Sequence, residues 1–386
     1  GGYGLYLKDN TIAKTNKFSL NNCLGGVKTG NHSQVHMVGG SIRNITNNPG
    51  IKIGSNCEVD IEDVKLSENI RGISYGKDNK IDIRGCEITN SIQYGIYGKG
   101  SHLTIADNTL VQNSGDDGIL LQNGSLEIKA VESSDNGGNG ITLWNVEISE
   151  FKSITADDNT QNGISIYIGQ TGLLHNFTYG PQFEKTTAIG NGMNGLSFSN
   201  DPTVINSPVD IHMSDPTVAG NGGYDFFSPG TFHFTWELFS GKIGSQDSYG
   251  MVRGNIDIIG EGVNSEFRNT NLTLLGRGNT IYLNNSAEIL FDNCYITAGG
   301  SSNSYSIEQS VDSILTFSGS YLGRMERLEA NEANLKMDDT LVMRSSSGLK
   351  LVESKFDITN CRFEDSTGQA IAIHGGDGSI IKSTFH

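Results

Sequence analysis

Residues 116–144 read "DDGILLQNGSLEIKAVESSDNGGNGITLW" and contain one complete unit of a repeat that decides the fold. Each unit begins with a glycine followed by an aliphatic residue, and these marker glycines stand at positions 50, 72, 95, 118, 140, 163 and 195. Successive marker glycines are 22 or 23 residues apart, except for a last gap of 32 residues. A second apolar stripe, such as "LEIKAVES", follows each marker glycine by about ten residues. The chain is therefore a repeat protein over at least this region.

Within each stripe, apolar and polar residues alternate over a few positions, which is the period of a β-strand. Asn, Asp, Gly and Ser fill the gaps between stripes and supply turn chemistry. A unit with two or three very short strands and no helix is typical of one coil of a solenoid. Successive coils then stack as parallel strands about 4.8 Å apart and bury their apolar stripes in one column.

This pattern resembles that of the right-handed parallel β-helix proteins, the pectate-lyase-like superfamily, and the resemblance is clearest over residues 50–200. It implies an all-β fold, a right-handed parallel β-helix solenoid with about 22–23 residues per coil. The general rule that parallel crossovers are right-handed supports the same handedness. The resemblance extends to no specific enzyme family, so it is informative about architecture rather than function.

Two other repeat folds fit the sequence less well. A leucine-rich horseshoe has a similar period, but its LxxLxLxxN signature is absent. Calcium-binding RTX repeats need tandem GGxGxD nonapeptides, and only single partial matches occur, at 135–140 and 375–378.

We predict one continuous β-helix over residues 1–386, with a loop-decorated middle at about 169–250. The segment 321–339 has apolar spacing too irregular for a helix and is predicted to form two irregular coils. Neither end shows a polar capping repeat, which an isolated solenoid needs to cover its open strands. We therefore expect the chain to be part of a longer chain or of an assembly, with other copies or subunits as candidate partners.

The composition limits the partners. The formal net charge is −16 and no basic cluster is visible, so we expect no nucleic-acid binding. Polyanionic glycans would also be repelled unless Ca²⁺ or local Lys and Arg side chains intervened. Ca²⁺ is therefore a candidate cofactor, although no residues are assigned to a metal site. No apolar run of 18 residues exists, so we expect no membrane span.

Five cysteines stand at positions 23, 57, 86, 294 and 361, without CxxC spacing. Three of them, Cys86, Cys294 and Cys361, occupy one repeat position between two apolar stripes. We predict that these thiols point inward at a coil corner and act as small apolar side chains.

Asp116 and Asp117 form an adjacent acidic pair before marker glycine 118. Asp117 occupies the position held by Asn139, Asn162 and Asn194 in later units, which indicates a turn position with left-handed or bridging backbone geometry. Polygalacturonase-like hydrolases of this fold also use a paired Asp. However, the Asn-Thr-Asp, Gly-His-Gly and Arg-Ile-Lys segments that accompany their pair are missing here. We interpret the pair mainly as part of a turn column.

A catalytic cluster could still form around the acidic pair. A polysaccharide lyase needs a base that removes the C5 proton and a cation that neutralises the sugar carboxylate. Side chains of suitable chemistry fall within one or two coils, so the catalytic candidates are Asp116, Asp117, Tyr94, Lys99, Arg71 and His102. The simpler interpretation is that these are ordinary solvated side chains.

A row of outward positions is the better candidate for binding. The fourth residue after each marker glycine should point outward, and this places Trp144 and Tyr167 one coil apart on the surface. Exposed aromatic rings beside amide side chains bind sugars by stacking and hydrogen bonding. The predicted substrate-binding residues are Trp144, Tyr167, Gln122, Asn139 and Asn162, with His175, Tyr179 and His212 as secondary candidates. The alternative is that inserted loops cover the two rings.

Three functions are consistent with these features. The first is an extracellular or surface-displayed scaffold on a cell or virion that binds polysaccharide or neighbouring subunits, such as an adhesin, surface-layer protein or tailspike. The second is a polysaccharide lyase, epimerase or hydrolase that acts in a groove on the β-helix. The third is a structural fibre segment without a ligand.

Overall fold

The computed structural model describes residues 2–169, 183–201, 209–228, 232–238, 241–244, 250–262, 265–300 and 303–386. These residues form 38 β-strands and no helix. The chain divides into two compact units, Gly1–Val204 (unit 1) and Ile205–His386 (unit 2), and each is described by itself.

The strands that the structure describes in unit 1 are short and pair in parallel with strands of the preceding and following coils. They are β1 (Tyr3–Leu7), β2 (Ile12–Asn21), β3 (Gly25–Thr29), β4 (Gln34–Arg43), β5 (Ile51–Ile53), β6 (Glu58–Ser67), β7 (Ile73–Tyr75), β8 (Lys80–Arg84), β9 (Glu87–Thr89), β10 (Ile96–Ala106), β11 (Thr109–Gln112), β12 (Ile119–Ser134), β13 (Ile141–Trp144), β14 (Glu147–Thr155), β15 (Ile164–Ile168), β16 (Phe183–Ile189) and β17 (Leu196–Asn200).

The core of unit 1 is a column of side chains in the predicted register. Residues that follow successive marker glycines are direct strand partners: Ile96 faces Ile119, Ile119 faces Ile141, and Ile141 faces Ile164. Each of these side chains is at most 1% exposed. The first and third residues after the marker glycine point inward and the second and fourth point outward, as the alternation predicts.

The marker glycines are required because nothing larger fits. A Cβ atom on Gly140 would lie 2.6 Å from the carbonyl oxygen of Gly163 and 2.7 Å from Nδ2 of Asn159. A Cβ atom on Gly163 would lie 2.8 Å from the Gly195 carbonyl oxygen and equally close to Nδ2 of Asn191. The repeat of glycine therefore follows from the close approach of successive coils at this corner.

Those asparagines form a ladder inside the coil, which we call the buried ladder: Asn136, Asn159 and Asn191, each 1% exposed. Oδ1 of Asn159 accepts the backbone N–H and the Nδ2 amide of Asn136, at 3.0 and 2.9 Å. Oδ1 of Asn191 accepts the same two groups of Asn159, both at 3.0 Å. The ladder satisfies buried turn amides that no strand partner reaches.

The left-handed turn column lies elsewhere than the sequence indicated. Positive φ occurs five residues before the marker glycine, at Asn90, Asn113, Asp135 and Asp158, with φ between 54° and 57°. Asp117 and its equivalents, directly before the glycine, do not have positive φ. Of the two geometries predicted for Asp117, the left-handed one is therefore wrong, because the tight bend is made at the preceding corner of the coil, and the bridging one stays a prediction.

Unit 2 has the same construction with less regular spacing. Its described strands are β18 (Val209–Ser214), β19 (Thr217–Ala219), β20 (Phe226–Phe227), β21 (Phe232–Leu238), β22 (Lys242–Ile243), β23 (Gly250–Gly260), β24 (Ser265–Arg268), β25 (Thr270–Leu274), β26 (Asn279–Leu283), β27 (Glu288–Asp292), β28 (Tyr295–Ala298), β29 (Tyr305–Gln309), β30 (Ile314–Ser318), β31 (Tyr321–Gly323), β32 (Met325–Asn331), β33 (Asn334–Asp338), β34 (Leu341–Met343), β35 (Leu349–Thr359), β36 (Arg362–Glu364), β37 (Ile371–Ile381) and β38 (Thr384–Phe385).

Aromatic side chains fill much of the core of unit 2. Phe267, Phe291 and Phe317 face one another on successive strands and are fully buried. Their ring centroids are 4.7 and 5.2 Å apart, and the ring planes are nearly parallel. Trp236 is also fully buried, and its ring packs edge to face against that of Phe226 with a centroid distance of 5.0 Å.

The predicted absence of a helix from 321–339 is confirmed, since the segment contains strands β31, β32 and β33. The prediction that it forms two coils is wrong, because Tyr321 pairs directly with Leu341 of β34 and the segment therefore spans a single coil.

The predicted burial of three cysteines is also confirmed. Cys86, Cys294 and Cys361 are buried free thiols, at most 3% exposed. Burial raises the pKa of Cys86 to about 11 and that of Cys294 to about 12, so both thiols stay protonated and unreactive near neutral pH.

The all-β parallel solenoid predicted from the sequence is thus confirmed for both units. The prediction of one continuous domain stays a prediction, and part of the predicted loop-decorated middle, 169–250, lies outside the described residues.

Candidate functional site

One outer face of unit 1 carries the predicted substrate-binding residues in two parallel rows. The aromatic row consists of the fourth residues after the marker glycines, and strand pairing aligns them in the order Lys99, Gln122, Trp144, Tyr167 and Ser199. The ladder row consists of the residues directly before the glycines, in the order Tyr94, Asp117, Asn139, Asn162 and Asn194. Both rows run across the coils.

Trp144 and Tyr167 form a pair on this surface. They are direct strand partners, their ring centroids are 4.8 Å apart, and the ring planes are inclined by 55°. The indole of Trp144 is 47% exposed, and Tyr167 is half-buried. Because Ile141 and Leu143 on the same strand are buried, alternation holds Trp144 in its outward orientation. The pair is therefore a fixed aromatic surface that faces solvent.

The ladder row is a chain of side-chain hydrogen bonds. Oδ1 of Asp117 accepts the backbone N–H of Asn139 at 2.7 Å and its Nδ2 amide at 3.2 Å. Oδ1 of Asn139 accepts the same two groups of Asn162, at 2.9 and 2.7 Å. Asn162 accepts from Asn194 in the same manner, at 3.1 and 2.8 Å. Asp117 thus starts a structural ladder, as the turn interpretation of this column implies.

A cationic and aromatic cluster lies beside the acidic pair. The guanidinium of Arg71 is 5.6 Å from the ring centroid of Tyr94 and 5.1 Å from that of Tyr97, and its Nε donates to Gln93. Burial raises the pKa of Tyr94, and the carboxylates of Asp116 and Asp117 raise it further. The structure therefore brings Arg71 close to Tyr94, and Tyr94 close to both aspartates.

This cluster is poorly suited to proton abstraction. A phenol with a raised pKa stays protonated at neutral pH, so Tyr94 can donate a proton but is a weak base. Asp117 already accepts two hydrogen bonds from Asn139, whereas Asp116 is exposed. Beside Tyr94, Asp116 is the exposed catalytic candidate, whereas Arg71 is half-buried and held by Gln93.

The other candidates lie apart from this cluster. Lys99 is exposed in the aromatic row, beside Gln122. His102 is farther along β10, where Nδ1 contacts Oγ of Ser125 at 2.7 Å. His212 is an exposed residue of β18 in unit 2. His175 and Tyr179 lie outside the described residues.

Two members of the cluster were missed by the sequence reasoning, Tyr97 and Gln93. Tyr97 is the second residue after a marker glycine, a position that the alternation predicts to point outward. Gln93 shares the variable column of Asp116, and nothing in the sequence distinguishes it as a partner of Arg71.

Among the described residues, neutral polar side chains lie beside the aromatic pair. Gln122 precedes Trp144 in the row, and Thr142, the outward residue two positions before Trp144, accepts a hydrogen bond from Asn139 through Oγ1 at 3.0 Å. The carboxylates of Asp116 and Asp117 lie one coil away and repel anions. The surface can therefore stack against a flat apolar face and exchange hydrogen bonds with neutral hydroxyl groups.

Within the described ranges, no group of three or more His, Cys, Asp or Glu side chains is placed to hold a metal ion. The expectation that Ca²⁺ is a candidate cofactor stays a prediction. Nor do those ranges contain a helix of the length and apolarity that a bilayer crossing requires.

Comparison with known proteins gives one family and ten distant solved chains, of which three are described below. Residues 71–228 match the family described as "Right handed beta helix region". A search of curated proteins found no match to this chain.

The three solved structures are of mutants of the tailspike protein of E. coli bacteriophage HK620, and all align with 96% of this chain and 69% of theirs. One, in complex with a pentasaccharide, is 8% identical with a TM-score of 0.28. A double mutant is 10% identical with a TM-score of 0.32. A third, in complex with a hexasaccharide, is 9% identical with a TM-score of 0.31. TM-scores this low add nothing to the assignment of fold or function.

The assignment rests on the repeat, the parallel pairing of successive coils and the family match. Together they identify the chain as a right-handed parallel β-helix repeat protein.

Proposed function

We propose that this protein binds a neutral glycan on the outer face of unit 1, with Trp144 and Tyr167 as the stacking surface. In this proposal the β-helix is a scaffold displayed outside the cell or on a virion, of the adhesin, surface-layer or tailspike kind. Its repeated coils hold the binding residues at fixed spacing along the surface.

The exposure of the aromatic pair is the observation that carries the proposal. A tryptophan with 47% of its surface in water loses hydrophobic stabilisation unless a ligand or partner covers it. The ring centroids of Trp144 and Tyr167 are 4.8 Å apart, so each ring restricts the other. The two side chains therefore lose little conformational entropy when a ligand binds. A preformed, exposed aromatic surface is what a sugar ring stacks against.

The side chains around the pair favour a neutral ligand. Gln122 lies directly beside Trp144, and its amide can donate to and accept from sugar hydroxyls. Asn139 and Asn162 are engaged with each other in the ladder row, so we assign them to support of the surface rather than to direct contact. Asp117 anchors the same ladder and keeps the adjacent surface negative.

A polysaccharide-cleaving enzyme is the alternative, and the Arg71–Tyr94–Asp116 cluster is the observation that favours it. The pKa of Tyr94 is raised, so a phenol there would serve as a proton donor and Asp116 as the carboxylate partner. The engagement of Asp117 in the ladder weakens this alternative, because a diacid mechanism needs both carboxylates.

The test is a panel of neutral oligosaccharides assayed for binding and for release of shortened or unsaturated products. We expect at least one to bind without product release. Replacing Trp144 by alanine should weaken that binding about tenfold or more, which corresponds to about 1.4 kcal/mol. Trp144→Phe should recover part of the loss, because a phenyl ring still stacks.

The matched control is Tyr295→Ala, which removes a similarly exposed ring from unit 2, and it should leave neutral-glycan binding unchanged. If products are released and the variant Asp116→Asn abolishes that release, the protein is a polysaccharide-cleaving enzyme and the scaffold proposal is wrong. No binding to any member of the panel, or binding that survives Trp144→Ala, would contradict the proposed site.

A further inference from the structure

We propose that unit 2 carries a separate site for an acidic sugar, formed by Tyr295, Tyr321, Arg324 and Arg344. The site shares no residue with the aromatic and ladder rows of unit 1. It therefore goes beyond the function proposed above and can fail or succeed independently of it.

The first element of the site is a stacked tyrosine pair on an outer face. Tyr295 of β28 and Tyr321 of β31 are direct strand partners. Their ring centroids are 4.2 Å apart and their planes are within 3° of parallel. Tyr295 is 40% exposed, and its strand partner on the side away from Tyr321 is the shorter Asn271. A ring face that no equally large side chain covers is thus available at Tyr295.

The second element is a pair of arginines held at the ends of neighbouring strands. Arg324 follows β31 directly and Arg344 follows β34 directly. The backbone N–H of Arg324 donates to the carbonyl oxygen of Met343 at 3.0 Å, so the two residues occupy equivalent corners of successive coils. Because Tyr321 begins β31, Arg324 lies on the coil of Tyr321, and Arg344 lies on the next coil, on the side away from Tyr295.

Both arginines have a backbone conformation that their residue type disfavours. Arg324 has φ of 59° and Arg344 has φ of 57°. Most of the other left-handed corners in this chain hold Asn, Asp or Gly, which adopt that conformation at lower cost. The left-handed conformation destabilises the folded state by about 1 kcal/mol or more at each arginine. Strain of this kind persists where the side chain has a function.

The charges of both arginines are available to a ligand. Neither guanidinium forms an ion pair with a carboxylate of the described residues. By contrast, ion pairs engage five other arginines, namely Arg43, Arg84, Arg268, Arg327 and Arg362. Arg324 donates instead to the carbonyl oxygen of Gly300, which orients its side chain without neutralising it.

Both arginines are close to Tyr321 along the chain or across the coil: Arg324 follows it by three residues, and Arg344 directly follows Met343, whose sulfur contacts the Tyr321 hydroxyl. Burial and the neighbouring Tyr295 raise the pKa of Tyr321, and the positive charges of Arg344 and Arg324 oppose that rise. The hydroxyl of Tyr321 contacts Sδ of Met343 at 3.5 Å. Ring face, hydroxyl and cations are therefore grouped on one part of the surface.

The ligand class follows from this grouping. In a chain with a net charge of −16, an anion is repelled except where cations are left unneutralised. Guanidinium groups bind carboxylates with two parallel hydrogen bonds, and an adjacent aromatic face stacks against a sugar ring. A sugar that bears a carboxylate satisfies both elements, whereas a neutral sugar leaves the arginines unused.

The test uses oligosaccharides of galacturonic, glucuronic and mannuronic acid as probes, with their neutral methyl esters as controls, in calorimetric titrations. We expect an acidic oligosaccharide to bind at least tenfold more tightly than its methyl ester. Raising the salt concentration should weaken that binding. The double variant Arg324→Gln with Arg344→Gln, and separately Tyr295→Ala, should each reduce the affinity about tenfold or more. The single variant Arg344→Lys should retain only part of the affinity, because lysine lacks the planar guanidinium group that binds a carboxylate through two hydrogen bonds.

Trp144→Ala serves as the reciprocal control and should leave acidic-sugar binding unchanged, so this site and that of unit 1 are tested separately. Circular dichroism and urea unfolding of each variant confirm that the fold is retained. The proposal is overturned if none of the acidic probes binds, if the esters bind equally, or if binding survives loss of the arginines. Binding of a polyglutamate peptide that needs the arginines but not Tyr295 would overturn it in favour of an acidic polypeptide.

Discussion

The variant Asn159→Ala is expected to lose on the order of 4 kcal/mol of unfolding free energy. Asn159 is 1% exposed and its side chain makes four hydrogen bonds inside the coil. Alanine would leave the backbone N–H of Asn136 and the carbonyl oxygen of Ser133 without their partner at that position. Each buried polar group left unsatisfied costs about 1–3 kcal/mol, and alanine adds a cavity.

The midpoint of urea unfolding measures this loss, and hydrogen exchange of the Asn136 amide, which donates to Asn159, locates it. The control is Asn162→Ala in the ladder row, which is half-buried, so that water can replace the lost amide. We expect a loss of about 1 kcal/mol there. Equal effects of the two substitutions would mean that the buried ladder contributes no more than a surface turn.

The variant Phe291→Ala should lose about 3–5 kcal/mol of unfolding free energy. Phe291 is fully buried between Phe267 and Phe317, with centroid distances of 4.7 and 5.2 Å. Removing the ring forfeits its burial and both aromatic contacts and leaves a cavity in the middle of the column.

Thermal and urea unfolding measure this effect, and Tyr295→Ala is the control. Tyr295 is four residues later on the same coil but faces outward, and we expect a loss below about 1 kcal/mol. A small effect of Phe291→Ala would show that the aromatic column is not the core of unit 2.

The register of unit 1 was predictable because its physical cause is periodic. Each coil must present an inward aliphatic residue after a glycine that admits no Cβ, so the spacing of Gly118, Gly140 and Gly163 aligns the strands. The pairing of Trp144 with Tyr167 followed from the same register. The position of a residue in the repeat thus predicts whether its side chain points inward or outward. It also predicts which residue on the next coil is its strand partner.

Chemically identical residues at different corners could not be separated from the sequence. "DNGGNG" contains both Asn136, which is buried in the ladder, and Asn139, which is half-buried on the outer face. Which asparagine turns inward depends on the backbone path through the corner, and neither composition nor alternation encodes that path. The left-handed position was misplaced for the same reason.

The site in unit 2 was hidden by irregular spacing. Tyr295 and Tyr321 are 26 residues apart, whereas Arg324 and Arg344 are 20 residues apart. No single period aligns both pairs, because coils of unit 2 differ in length at different corners. Only the strand pairing of β28, β31 and β34 brings the four side chains together.

The most direct test of glycan binding in unit 1 is acrylamide quenching of tryptophan fluorescence. The protein has two tryptophans, Trp144 at 47% exposure and Trp236 at 0%, so acrylamide should quench Trp144 almost alone. The bound neutral oligosaccharide is predicted to protect that fluorescence and to bring quenching down to the level of the Trp144→Phe variant. Unchanged quenching of Trp144 with the oligosaccharide bound would contradict stacking on the aromatic pair.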